Sequence, residues 1–91
     1  MSGEDQISEA QRRLDSLREQ YEDGDPHVIG AWTKLAELTG EQGDRRRAAR
    51  LYQQLGDVLR KELGPFEGMT LDAYEGVARW VMEIGSPLRN V

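Results

Sequence analysis

The stretch Trp32–Leu59, WTKLAELTGEQGDRRRAARLYQQLGDVL, decides how the chain folds. It reads as two amphipathic helices joined by one tight turn at Gly43-Asp44. Gly43 takes the left-handed conformation that ends a helix without a Cβ penalty. Asp44 then accepts the orphan N–H groups of the next helix as its N-cap. Two helices joined that tightly must fold back on each other. The first carries Ile29, Trp32, Leu35, Ala36 and Thr39. The second carries Ala48, Leu51, Tyr52, Leu55, Val58, Leu59 and Leu63. Both sets recur at three-and-four spacing, which makes one apolar stripe on a 3.6-residue helix. The small Ala36 and Ala48 let the two backbones approach closely.

Outward from this hairpin the chain repeats its own logic. Over residues 5–22, Ile7, Ala10, Leu14, Leu17 and Tyr21 form a seam of two heptads. A coiled coil asks for three to four, so the seam predicts a helix packed on the Trp32 helix. Gly24-Asp25-Pro26 breaks it, with Asp25 as N-cap and Pro26 as first helical residue. The core helices are expected at 26–41 and 44–63. Gly56 inside the second costs about 1 kcal/mol relative to Ala, which is tolerable where another helix crosses closely. Gly64-Pro65 stops that helix, and residues 66–69 read as a linker. Thr70 is expected to cap a fourth helix over 71–84, ended by Gly85-Ser86-Pro87. Residues 1–4 are expected to fray, and 88–91 to form a short tail.

Shifting the chain by 42 residues gives seven identities in the thirty pairs from Asp15 to Asp44, among them Leu17/Leu59, Arg18/Arg60, Ala31/Ala73 and Ala36/Ala78. Ile29 meets Leu71, Trp32 meets Tyr74 and Leu35 meets Val77. The first helix is thus a copy of the third, and the fourth a copy of the second. One complete hairpin (26–63) lies between two half repeats (5–22 and 70–85). The expected fold is all-α, about four helices in stacked antiparallel hairpins.

Trp32-x-x-Leu35-Ala36, Gly43-Asp44 and Ala48-x-x-x-Tyr52 together resemble the tetratricopeptide repeat. Leu63-Gly64-Pro65 followed by Thr70-Leu71 resembles its kinesin-light-chain type, with a longer second helix. Two residues depart from the pattern. Thr39 stands where an aromatic is expected, and no Pro ends the second helix at the usual place. The resemblance implies a short right-handed superhelix that binds other proteins or peptides. Its groove would be lined by Thr33, Lys34, Glu37 and Gly40 on one helix and by Glu75, Arg79 and Met82 on the copy. Chaperone-binding members hold a peptide carboxylate with a clamp of Lys, Asn and Arg. Glu37 occupies the Asn-type position, which does not support that clamp.

Composition narrows the function classes. Ninety-one residues make one small domain, which buries only about 60–65% of its unfolded surface. There is no Cys, which excludes disulfides, thiolate metal sites and thiol nucleophiles. The net charge of −5 disfavours nucleic acid, which wants a basic footprint. The opening residues MSGEDQ lack the apolar core of a signal peptide, and no apolar run approaches the ~20 residues of a membrane span. The expectation is a cytoplasmic, non-membrane protein. Arg far outnumbers Lys and Gly is frequent, which resembles a high-GC bacterial genome.

No catalytic, cofactor or metal constellation is legible. His27 is the single His and reads as a surface residue at a helix start. Glu37, Glu41, Glu75 and Glu83 lie on helix surfaces without the second ligand set that a bundle metal site needs. The run Arg45-Arg46-Arg47 with Arg50 opposes the helix dipole. It reads as a solvated, locally paired face or, more sharply, as a contact for an acidic partner segment. A second apolar stripe on the fourth helix, Ala73, Val77, Trp80 and Ile84, is expected to face a helix that this chain does not contain. Self-association through Trp80, Ile84 and Ala73 would cover it, a dimer being the first expectation. The leading reading is a non-enzymatic interaction module. The alternatives are part of a larger repeat-containing regulator, an enzyme subunit with a pocket the sequence does not advertise, or a helical nucleic-acid binder using Arg45 to Arg50.

Overall fold

A computed structural model describes residues 3–84, with side chains from 5 to 83. The described residues form four α-helices and no strand: α1 (Gly3–Gln20), α2 (Pro26–Glu41), α3 (Arg45–Glu62) and α4 (Gly68–Ile84). Each helix packs on the next in sequence, α3 and α4 most extensively. Among the described residues no helix is long and apolar enough to cross a membrane. The expected stop at Gly85-Ser86-Pro87 and the tail to Val91 lie outside the described residues, as do Met1 and Ser2.

The turns form for the reasons read from their residues. Gly43 has φ +107°, and its N–H donates to the Gly40 carbonyl at 3.0 Å while the Asp44 N–H reaches the Thr39 carbonyl at 3.1 Å. The Asp44 carboxylate accepts from the Arg47 N–H at 3.1 Å. At the start of α2 the Asp25 carboxylate accepts from the His27 N–H at 2.8 Å. That bond, with the His27 ring beside it, holds the Asp25 carboxyl below the usual carboxylate range.

Two helices start earlier than expected. Helix α1 spans Gly3–Gln20, two residues earlier at each end than the expected 5–22, so that Gly3 and Glu4 are helical where fraying was expected. Helix α4 begins at Gly68, not after Thr70, because the Leu71 N–H already donates to the Glu67 carbonyl at 3.0 Å. Thr70 is fully buried, and its hydroxyl donates to the Gly64 carbonyl at 2.9 Å. It ties the first turn of α4 to the end of α3 and caps nothing. The 42-residue shift carries this signal: α1 moved by 42 spans 45–62, the range of α3, and α2 moved by 42 spans 68–83, α4 less its last residue.

The core joins Leu14 of α1, Val28, Trp32 and Leu35 of α2, Leu55 and Leu59 of α3 and Ala73 of α4. Trp32 buries its ring and donates its indole N–H to the Leu51 carbonyl at 3.0 Å, as a buried indole must to avoid an orphaned donor. The Arg18 guanidinium lies 4.7 Å from the centre of that ring, a cation–π contact. The repeat reappears here, for Arg60 and Tyr74 also pair: the Tyr74 hydroxyl interacts with Arg60 and donates to Asp57 at 2.7 Å. Thr39, where an aromatic was expected, is fully buried and donates to the Leu35 carbonyl at 2.7 Å.

Three glycines set how closely the helices approach. A Cβ on Gly56 of α3 would lie 2.7 Å from the Tyr74 ring, one on Gly76 of α4 would lie 2.6 Å from the Tyr52 ring, and one on Gly40 of α2 would lie 2.5 Å from Trp80. Tyr52 and Tyr74 therefore exchange seats across the α3–α4 interface. The helix-propensity cost of Gly56 is offset by the ring it admits.

The expectation for the α4 stripe Ala73, Val77, Trp80 and Ile84 is not met. Ala73, Val77 and Trp80 do not await a missing helix. Ala73 is buried, and Val77 and Trp80 pack on the core. The seat at Gly40 is the physical reason, since the missing side chain leaves room for an indole. The side chain of Ile84 lies outside the described residues. Exposure falls instead on Leu71 (48%), Val81 (51%) and Met82 (69%).

Candidate functional site

Helices α2, α3 and α4 border an open hollow of about 390 Å³ lined by Ile29 and Thr33 of α2, Tyr52 and Leu55 of α3, and Met69, Asp72, Ala73, Glu75, Gly76 and Arg79 of α4. Its floor is apolar and its rim carries both signs of charge. Tyr52 and Leu55 reach the floor because they lie on the buried stripe of α3. Asp72, Glu75 and Arg79 follow at three-and-four spacing along one edge of α4, so they share a rim.

At one end of this hollow stands Glu37. One of its carboxylate oxygens accepts from the Tyr52 hydroxyl, the Arg79 guanidinium and the Trp80 indole N–H, the last at 3.2 Å. Arg79 also reaches the Tyr52 hydroxyl at 3.4 Å, and its guanidinium lies 5.7 Å from the centre of the Tyr52 ring. A carboxylate with several donors is a charge-assisted junction, and it ties three helices together at one atom. Burial, and next the hydrogen bond to the Glu37 carboxylate, push the Tyr52 hydroxyl up to about 12, with Arg79 acting in the opposite sense.

This yields a pH prediction. A phenol held above its ordinary value of 10.0 favours the fold while it stays protonated. Its contribution is complete below about pH 10 and is lost as pH rises toward 12. Absorbance titration at alkaline pH is expected to show a phenol ionising near 12, and Tyr52→Phe to remove that step. A late step that survives Tyr52→Phe would contradict the junction.

The expected groove residues divide. Thr33, Glu75 and Arg79 line the hollow, and Glu37 contacts two residues that do. Gly40 is buried beneath Trp80. Lys34 and Met82 do not line it: Lys34 turns toward α1, and Met82 is exposed. One residue of helix turns by about 100°, so Thr33 and Lys34 cannot face the same groove. Reading the groove as everything off the apolar stripe missed this. It also missed Tyr52 and Trp80 as partners of Glu37. The 42-residue shift places Glu37 and Arg79 at equivalent positions with opposite charge, and that was the available signal.

Arg45, Arg46, Arg47 and Arg50 are all exposed. Only Arg47 and Arg50 join a shallow hollow of about 300 Å³, shared with Gln11, Leu14, Arg18, Trp32, Leu51 and Gln54. His27 is exposed, stacks on Tyr21 with ring centres 4.8 Å apart, and pairs with Asp25 at 2.8 Å. Among the described residues no group of three or more His, Asp or Glu side chains converges on a metal-sized space. Compared with protein-family models, curated proteins and solved structures, the chain has no significant match.

Proposed function

We propose that this protein is a non-enzymatic protein–protein interaction module, a short tetratricopeptide-like right-handed stack that works in the cytoplasm. The observation that carries the reading is the hollow between α2 and α4. It joins an apolar floor of Tyr52 and Leu55 to a rim of Asp72, Glu75 and Arg79. Such a surface suits an extended peptide that presents one apolar side chain flanked by charge. With few side chains on the rim, the expected affinity is in the micromolar range or weaker, on the order of 10⁻⁶ M or above.

The test is selection of a random peptide library on the immobilised chain. Enriched peptides are expected to share an apolar anchor. They should lose at least about tenfold in affinity on Thr33→Arg or Asp72→Lys, and be indifferent to Arg46→Ala. Peptides that ignore the hollow substitutions would place recognition elsewhere. A second reading, an acidic partner segment, is favoured by the shallow hollow around Trp32, whose lining holds Arg47 and Arg50 beside Arg18, the last already paired with Asp23 at 2.9 Å. For that contact Arg47→Ala and Arg50→Ala are expected to weaken binding and flatten its salt dependence.

A further inference from the structure

We propose that copies of this chain join head to tail, with the outer face of α4 of one copy seated in the groove between α1 and α2 of the next. The inference rests on the internal repeat and not on the peptide reading of the hollow, although Glu75 borders both surfaces. Ile29, Trp32, Ala36 and Thr39 of α2 are buried, in a helix flanked by α1 and α3. Their equivalents 42 residues on are Leu71, Tyr74, Ala78 and Val81. No helix follows α4 among the described residues, and Leu71, Ala78 and Val81 are exposed.

The opposite end of the chain offers a matching seat. Within the chain, α2 places Ile29 and Thr33 against Leu55 and Gly76 around the α2–α4 hollow. Moving Leu55 and Gly76 back by 42 residues gives Arg13 and Lys34. Both line a groove of about 720 Å³ between α1 and α2, with Ala10, Leu17, Ala31 and Leu38. Two positions of the groove carry smaller side chains than their counterparts. Ala10 stands at the position of Tyr52, and Leu38 at that of Trp80. An incoming α4 in the repeat geometry presents Leu71 and Glu75 where α2 presents Ile29 and Thr33. Glu75 then meets Arg13 and Lys34, opposite in sign. Glu9 is the one carboxylate lining that groove. Met82 stands at the position of Gly40 and is directed at Leu38, so a medium pair replaces the glycine–indole pair. The helix order of one chain, α1-α2-α3-α4, continues into the next copy without a break in the repeat. A heterologous contact of this kind builds a ring where its rotation closes and an open stack where it does not, and stacked repeats gain stability from each added neighbour.

The test uses two variants that each block one face. Val81→Asp/Met82→Asp blocks α4, and Arg13→Glu/Lys34→Glu blocks the groove. Light scattering from micromolar to millimolar concentration is expected to show the wild-type mass rising beyond a dimer. Each variant alone should stay monomeric, and an equimolar mixture should give a one-to-one dimer and nothing larger. Helicity by circular dichroism checks folding. Should the α4 double variant unfold, Glu75→Lys reads the same face from the exposed rim. A wild type that stays monomeric throughout overturns the proposal. So does a mixture that fails to pair, or a groove variant that still dimerises, which would mean that α4 meets α4.

Discussion

Trp80→Asp is expected to cost about 2–4 kcal/mol, below the full range for a core aromatic because the indole is partly buried. A chain of this length has a total stability of roughly 5–14 kcal/mol at the usual 0.05–0.15 kcal/mol per residue, so the loss is a large share. Three effects act in the same direction. The indole leaves its seat on Gly40. Glu37 loses the N–H donor at 3.2 Å. A new carboxylate arrives beside Glu37, and like charges at that range repel. Trp80→Phe separates these effects, because it keeps most of the ring and removes only the donor and the indole's width. Its expected cost is about 1–2 kcal/mol, from one hydrogen bond and a partial cavity. Urea unfolding followed by far-ultraviolet circular dichroism measures both. The contrary result is a Trp80→Asp chain with wild-type midpoint and helicity, which would make Trp80 a surface residue and void the packing of α4 described above.

Gly76→Ala is the second large effect, and its sign runs against helix propensity. Alanine in a helix interior is normally favoured over glycine by about 1 kcal/mol. Here the added Cβ would stand 2.6 Å from the Tyr52 ring. That ring cannot swing aside cheaply, since its hydroxyl is held by Glu37 and its face is covered by Arg79. Overpacking of this kind costs about 1–3 kcal/mol. Gly30→Ala is the control. It lies in α2 with nothing within 4 Å of its would-be Cβ, so it should stabilise by up to about 1 kcal/mol. The two substitutions are the same chemistry with opposite expected shifts in urea midpoint. Stabilisation by both would show that α3 and α4 are not as close as the Tyr52–Gly76 contact requires.

Local rules account for much of the architecture. Gly43-Asp44 and Asp25-Pro26 mark their turns because capping depends on a few consecutive residues, and those residues are visible in the chain. The apolar stripes of α2 and α3 are legible for the same reason, since a helix period fixes which side chains share a face. The 42-residue repeat extends this to longer range. It relates α1 to α3 and α2 to α4, and it also carried the start of α4 at Gly68 and the opposition of Glu37 and Arg79.

Periodicity could not say which of two stripes on α4 would turn inward. Leu71, Ala78 and Val81 are as apolar as Ala73, Val77 and Trp80, and the spacing of both suits a helix. The choice fell to complementarity between helices: an indole fits where α2 has no side chain at Gly40, and a phenol fits where α4 has none at Gly76. Such pairs are set by volumes that meet across positions far apart in the chain. The same holds for the junction at Glu37, whose three donors come from residues 15, 42 and 43 positions away. Caps, helices and the repeat follow from neighbours in sequence. Which faces close, which stay open, and where the charged rim of the hollow stands follow from packing alone, because only packing brings those side chains within reach.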